Sequence, residues 1–439
     1  MNLRHTLYLL LTCLSLTTST ILQNGQVRET NYPDTKIDAS LYNFQSFPPN
    51  STELSYKGRW DSKYISWWSA PGLKFGFTGD TVAITFGNHT SNGVLIAYRL
   101  SDLDWQFTNI STSSTHLLIS PSTPGINTTY PINPHTLELR ITNWAYGLQI
   151  SSIHLAPSAS LIALPNYGRK IEVIGDSLKI EVIGDSLSAG DLATLEGLSS
   201  YAFGLGEGIG ETEYSITAYP GVCAADRQCW GNARGMVWQW WYTSDTSPRA
   251  GELYGGEPES WDFGREEEAD VVVICLGTND ANEHNQVSEE EFVDAYRRLI
   301  MGVKGVWPGT KIVIVSLWNG FYANGNSYAQ AGAFTQPLHT LYTTFNTPSY
   351  LQNPMLYNHT TNSTYTTNTP FEPFVYYFNT TGILNHNDIS PLYHPTDFGH
   401  VKVASHLMAF FRWVLGWELR NGGRMVQSGT EYWNDVGEY

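Results

Sequence analysis

The nine residues KIEVIGDSL stand twice in succession, at 170–178 and 179–187, and the second copy runs on into SAGDLATLEGLSS. An apolar run ending in Gly-Asp-Ser before a helix-like segment is how a parallel strand carries a side chain to the C-terminal edge of an open sheet, where ligands bind. Only one of the two serines can stand at that edge. A helix must start right after it, so that the N-terminal amides face the reacting oxygen. Ser186 is followed by Ser188, Ala189, Gly190 and Asp191, small or polar residues suited to a first turn, whereas Ser177 is followed by the β-rich KIEVIG. Ser186 is therefore the expected edge serine. Because the repeat is odd in length, sliding the chain by one copy would turn every strand side chain to the other face. Two origins stay open for the repeat: a real insertion looped out before the first strand, or a gene-model or cloning duplication.

Around this motif the chain changes texture. Residues 1–20 carry Arg4 and His5, an apolar stretch and then small residues, and read as a signal peptide too short to anchor in a bilayer. Residues 21–55 have little periodicity and are expected as a loose lead-in. From 56 to 160 the pattern is all-β: Leu73, Phe75 and Phe77 alternate with Lys74 and Gly76, and Val82, Ile84 and Phe86 repeat the pattern. Short alternating strands between Gly, Asn, Ser and Pro predict a sandwich or jelly roll. After the linker-like APSASLIALPNYG, residues 165–420 alternate strand and helix, and 421–439 form a tail. Residues 271–276 and 311–317 read as buried strands. Ser288 with Glu291 is a capping box, followed by Phe292, Ala295, Tyr296, Leu299, Ile300 and Val303 on one helical face. A last helix is expected near Pro395, with Val401, Ala404, Leu407, Met408 and Phe411 inward. The alternation predicts an α/β domain with a parallel sheet covered by helices on both faces. Residues 345–369, rich in Thr, Asn and Tyr, read as a glycosylated surface excursion.

A net charge of -17 over 439 residues argues against nucleic acid as a partner, since phosphate binding needs concentrated Lys and Arg. Seven sequons, at Asn50, Asn88, Asn109, Asn127, Asn358, Asn362 and Asn379, fit a secreted chain. Once Cys13 leaves with the signal, Cys223 and Cys229 are close enough to close a small disulfide loop, and Cys275, inside VVVICLG, reads as a buried thiol. No Cys or His spacing suggests a zinc site.

Nucleophilic serine chemistry needs a base and amide donors beside the hydroxyl. Asn279, in LGTND after the second buried strand, would reach the same sheet edge and offer its side-chain amide. Gly221, in AYPGVCA, lets a backbone amide approach closely. His394, in YHPTDFGH before a helix start, is the candidate base. Asp185 and Asp280 read as turn-holding residues. The Gly-x-Ser-x-Gly elbow of the α/β-hydrolases is absent, because its fifth position is Ser188.

The blocks GDSLSAG, Gly221, LGTND and HPTDFGH, in that order over residues 170–415, resemble the SGNH or GDSL hydrolase superfamily. An all-β domain placed ahead of them, with RKIEVIGDS at the junction, further resembles carbohydrate esterase family 2, whose members remove acetyl groups from xylan and related polysaccharides. The resemblance implies a three-layer α/β domain behind a β-sandwich. It makes Ser186 the nucleophile, His394 the base, and the Ser186 amide, Gly221 and Asn279 the oxyanion hole. Superfamily members usually place an aspartate three residues before the histidine, where this chain has Pro391. Asp388 is the nearest upstream acid available to orient the imidazole; the alternative is a Ser-His dyad held by a backbone carbonyl.

Trp230 and Trp318 are expected to line the catalytic edge and offer flat faces to a sugar ring. The leading expectation is thus a secreted carbohydrate acetylesterase that needs no cofactor or metal, acts on an acetylated polysaccharide or oligosaccharide and has no stable membrane anchor. Two alternatives are a GDSL lipase or general acylhydrolase, and a carbohydrate-binding protein whose site the duplication has disabled.

Overall fold

The computed structural model describes residues 22–23, 26–27, 32–126, 134–164, 178–265, 267–318, 320–389 and 393–420. The expected signal segment, the C-terminal tail, the first repeat copy as far as Ser177, Asn127 and Pro391 lie outside them.

The N-terminal half is built from two antiparallel sheets. In the five-stranded sheet the order is Lys36–Ile37, Thr115–Ile119, Val82–Phe86, Ile150–Leu155, Gln45–Phe47. The other, six-stranded, runs Leu161–Ile162, Gly72–Phe77, His135–Ile141, Val94–Leu100, Gln106–Ile110, with Ser55–Lys57 also paired to Gly72–Phe77. This corrects two expectations. The lead-in supplies two strands of the first sheet, and the linker-like stretch supplies an edge strand of the second. Strands of two or three residues gain backbone pairing without displaying a period-2 pattern, so the sequence hid them.

Alternation along the longer strands then decides where each face goes. On Val94–Leu100, Val94, Ile96, Tyr98 and Leu100 enter the core between the two sheets. Leu95 and Ala97 point the other way, into the core of the C-terminal half, together with Ile65, Trp67, Trp68 and Ala70. Buried charge accompanies them. Arg99 Nη2 lies 2.6 Å from Glu138 and 3.3 Å from Glu207, whose other oxygen accepts from the Tyr214 hydroxyl at 2.8 Å. Lys57 pairs with Glu213 at 2.5 Å and Arg59 with Glu181 at 3.3 Å, again from one half to the other.

The C-terminal half holds a five-stranded parallel sheet of β1 (Leu178–Gly184), β2 (Thr212–Ala218), β3 (Val271–Cys275), β4 (Lys311–Val315) and β5 (Val375–Phe378), in the order β2-β1-β3-β4-β5. The second repeat copy forms β1. The chain runs from β1 to β2 on one side and then crosses to β3 on the other, so the C-terminal ends of β1 and β3 flank the point where strand order reverses, the place where open α/β sheets bind ligands. Its helices include α1 (Ser186–Ala189), α2 (Tyr201–Ile209), α3 (Glu289–Val306), α4 (Thr335–Phe345) and α5 (Asp397–Trp413). The capping box at Ser288 and Glu291 opens α3, and all six expected apolar residues of its inner face are buried. On α5 Ala404, Leu407 and Phe411 face inward as expected, but Val401 is exposed and Met408 only half-buried, because the inward stripe starts at Gly399, His400 and Val403. The excursion at 345–369 is more ordered than its composition implied. It holds a short helix, Pro348–Gln352, and a hairpin of Met355–Asn358 with Ser363–Thr366, whose Leu356 and Tyr357 are buried.

Candidate active site

Ser186 follows β1 as the first residue of α1. The Asp185 carboxylate accepts from the Leu187 amide at 3.0 Å, fixing the turn from strand to helix. Gly184 has to be glycine there, since a Cβ would lie 2.1 Å from Ser188 Oγ, which is itself held by the Tyr201 hydroxyl at 2.6 Å. Burial pushes the Asp185 carboxyl up to about 7, with Asp280 adding repulsion.

The loop after β3 grips the loop after β2. Asp280 accepts from the amides of Ala224 and Ala225 at 2.8 and 2.9 Å, and Asn279 Nδ2 donates to the Val222 carbonyl at 2.9 Å. A disulfide joins Cys223 to Cys229 in the same loop, and Cys275 is buried in β3. Gly221 sits within this clasp at a φ of 79°, and a Cβ on it would come 2.7 Å from Trp230 Cβ. Asn279 spends one amide proton on Val222; its second is the one an oxyanion can take.

His394 lies just before α5, with Nε2 3.8 Å from the Asp191 carboxylate. Asp388, the acid expected to orient it, is turned elsewhere. Both its oxygens meet Lys402 Nζ, at 2.7 and 2.6 Å, and one also accepts from the Asn385 amide at 2.7 Å. Lys402, in the second turn of α5, outcompetes a neutral imidazole for that carboxylate. His400 is buried, accepts from the Tyr201 amide at 3.1 Å and is pushed down to about 3 by burial and by His394, so it stays neutral.

The two tryptophans separate. Trp230 is 53% exposed beside Gly221 and stacks on His284 at 4.8 Å. Trp318 is fully buried, edge-on to Tyr201 at 5.9 Å, and presents no face to a ligand. A large ring at the end of an interior strand is more stable in the core, which corrects its expected role. Residues beyond the motif blocks also reach the site. Exposed Tyr393 adjoins His394, and from the sandwich Trp144 meets Tyr219 edge-on at 5.1 Å, two residues before Gly221. Tyr393 was visible as an aromatic next to the motif histidine; Trp144 carried no signal of its position.

Among the described residues no group of three or more His, Cys, Asp or Glu is placed to hold a metal ion. No family model matches the sequence, and no curated protein matches it. Solved structures do. A family two carbohydrate esterase from Clostridium thermocellum in complex with cellohexaose is 21% identical, with a TM-score of 0.59 over 83% of this chain and 99% of that one. The acetyl xylan esterase Est2A from the rumen bacterium Butyrivibrio proteoclasticus is 14% identical, with a TM-score of 0.60 over 85% and 100%. The salicylyl-acyltransferase SsfX3 of a tetracycline biosynthetic pathway is 11% identical, with a TM-score of 0.52 over 86% and 100%. The chain therefore resembles the family two carbohydrate esterases in fold, across both halves.

Proposed function

We propose that this protein is a secreted serine esterase that removes acetyl groups from a plant-type polysaccharide such as xylan. One observation carries the reading: Ser186, the Gly221 loop, Asn279 and His394 stand on loops that follow the strands of one sheet edge, beside the exposed ring of Trp230, in the fold of carbohydrate esterases. The same reading makes the C-terminal half three-layered, with α2 and α5 on one face of the sheet and α3 and α4 on the other.

In this mechanism Ser186 Oγ attacks the acetyl carbonyl while His394 takes its proton. The oxyanion is met by the amides of Ser186 and Gly221 and by Asn279 Nδ2. The imidazolium returns the proton to the departing sugar oxygen, and water then releases acetate from the acyl-enzyme by the same steps. Trp230 offers a flat face to the sugar ring. No helix of the described residues is long and apolar enough to cross a membrane. Secretion is supported by the sequons, since the six asparagines among the described residues are all exposed.

The test is acetate release from acetylated xylan, and turnover of a short aryl acetate, by the wild type and by Ser186→Ala and Ser177→Ala. We expect loss in Ser186→Ala alone, by about a thousandfold or more. Loss in Ser177→Ala alone would reassign the nucleophile to the first copy. Preference for long-chain esters would replace the acetylesterase by a lipase, and sugar binding without turnover by a binding protein.

A further inference from the structure

The imidazole of His394 has a carboxylate beside it that no motif announces. Asp191 lies five residues past Ser186, and its backbone amide donates to the Ser186 carbonyl at 3.1 Å, so it belongs to the turn that carries the nucleophile. Its Oδ2 is 3.8 Å from His394 Nε2, too far for a hydrogen bond and close enough for an ion pair. Asp388 is held by Lys402 and Asn385. Resting on the esterase reading, we infer that Asp191 is the charge partner of His394: it lies on the Nε2 side of the ring, on the nucleophile's own turn, and compensates the imidazolium electrostatically instead of orienting the ring through Nδ1 as a triad acid does.

The step balances within the residues named. As the Ser186 Oγ–carbon bond forms, the hydroxyl proton passes to His394 and the ring becomes a cation, which the Asp191 carboxylate compensates. The same proton then leaves with the sugar oxygen, and the ring is neutral again. Asp191 itself exchanges no proton.

The surroundings leave room for at most one negative charge at this spot. Facing Asp191 are His394, Glu196 and Tyr219; facing His394 are Asp191 and the neutral His400. Asp397 accepts from the Thr194 amide at 2.9 Å. Glu196 interacts with Asn143 and Trp144 of the sandwich, and burial with the Asp191 charge pushes its carboxyl up to about 8, so near neutral pH it is protonated. Burial raises Asp191 as well, and His394 opposes that rise. The Thr142 carbonyl accepts from the Gly197 amide at 3.0 Å, so a sandwich loop holds the segment behind Asp191.

The experiment measures kcat, KM and pH–rate profiles on an aryl acetate for the wild type, Ser186→Ala, Asp191→Asn and Asp388→Asn, with circular dichroism to follow folding. Asp191→Asn should keep its KM, lose about tenfold to a hundredfold in kcat and move the acid limb of the profile to lower pH, because the cation is no longer compensated. An unchanged kcat and acid limb, or a limb that moves in Asp388→Asn instead, overturns the inference. Should Asp191→Asn not fold, Asp191→Ser takes its place: a reduced kcat with the acid limb moved to lower pH supports the inference, and wild-type kcat with an unmoved limb overturns it. A wild type whose turnover does not depend on Ser186 sinks the esterase reading itself, which these variants leave distinguishable.

Discussion

At the scale of single residues, the motif side chains matter less than what clamps them. Gly221 is held at positive φ with Trp230 against its α-carbon, and Asp280 and Asn279 fasten the loop around it. Gly221→Ala should therefore cut esterase kcat by about a hundredfold and also lower the unfolding midpoint, since alanine at positive φ against Trp230 strains the native loop by about 1 kcal/mol or more. Steady-state kinetics beside a thermal melt checks this, and an alanine enzyme of full activity would remove Gly221 from the oxyanion hole. As candidates, Ser186, Gly221, Asn279 and His394 could be named from the sequence because each sits at a strand end or helix start with its own punctuation. Asp191 could not, for its partner is 203 residues away and the five-residue step from Ser186 marks no periodicity. Trp318 was misplaced because sequence reports that a ring ends a strand but not whether the edge above it is covered.

At the scale of elements, local signals that satisfy backbone groups carried furthest. The α3 capping box closes through both of its hydrogen bonds, the Glu291 amide to Ser288 Oγ at 3.2 Å and the Ser288 amide to the Glu291 carboxylate at 3.0 Å. Ser288→Ala should lower stability by about 1 kcal/mol without touching kcat, read from urea unfolding. An unchanged midpoint would mean that packing of the α3 face alone holds the helix start. Long buried strands were equally legible, with β3 and β4 ending within two residues of their expected limits. The short strands at 36–37, 45–47 and 161–162 were not, because two or three residues leave no alternation to detect. On α5 the start of the inward stripe, though not its register, was missed by the same physics in reverse. His400 fills an inward position that a hydrophobic pattern skips, and so the stripe was read as starting at Val401.

At the scale of the molecule, buried ionisable groups set how stability follows pH. Burial raises Asp185 to about 7 and Glu196 to about 8, so their contribution is complete below the ordinary carboxylate range and is lost as pH rises through those values. His116 and His400, pushed down to about 4 and 3, contribute fully above their ordinary value of 6.5 and lose that contribution only as pH falls below it. Lys304, pushed down to about 8, opposes the carboxylates weakly at the top of the range. Between about pH 6.5 and pH 8 the carboxylates prevail, and stability should fall by about 2 kcal/mol. Calorimetry at the two pH values tests it; a higher midpoint on the alkaline side would mean that water reaches both carboxyls. The division into two halves was plain in the sequence from the change of texture alone. The contact between them was not, because alternation along a strand separates Leu95, Ala97 and Arg99 from the opposite face without saying what covers them. Their burial has a consequence for descent. A lineage that shed the sandwich would at one stroke uncover the apolar residues beneath it and strip Glu181 and Glu213 of the cations that neutralise them. The visible seam between the halves is thus no place for recombination to cut, and the two are heritable only as a pair.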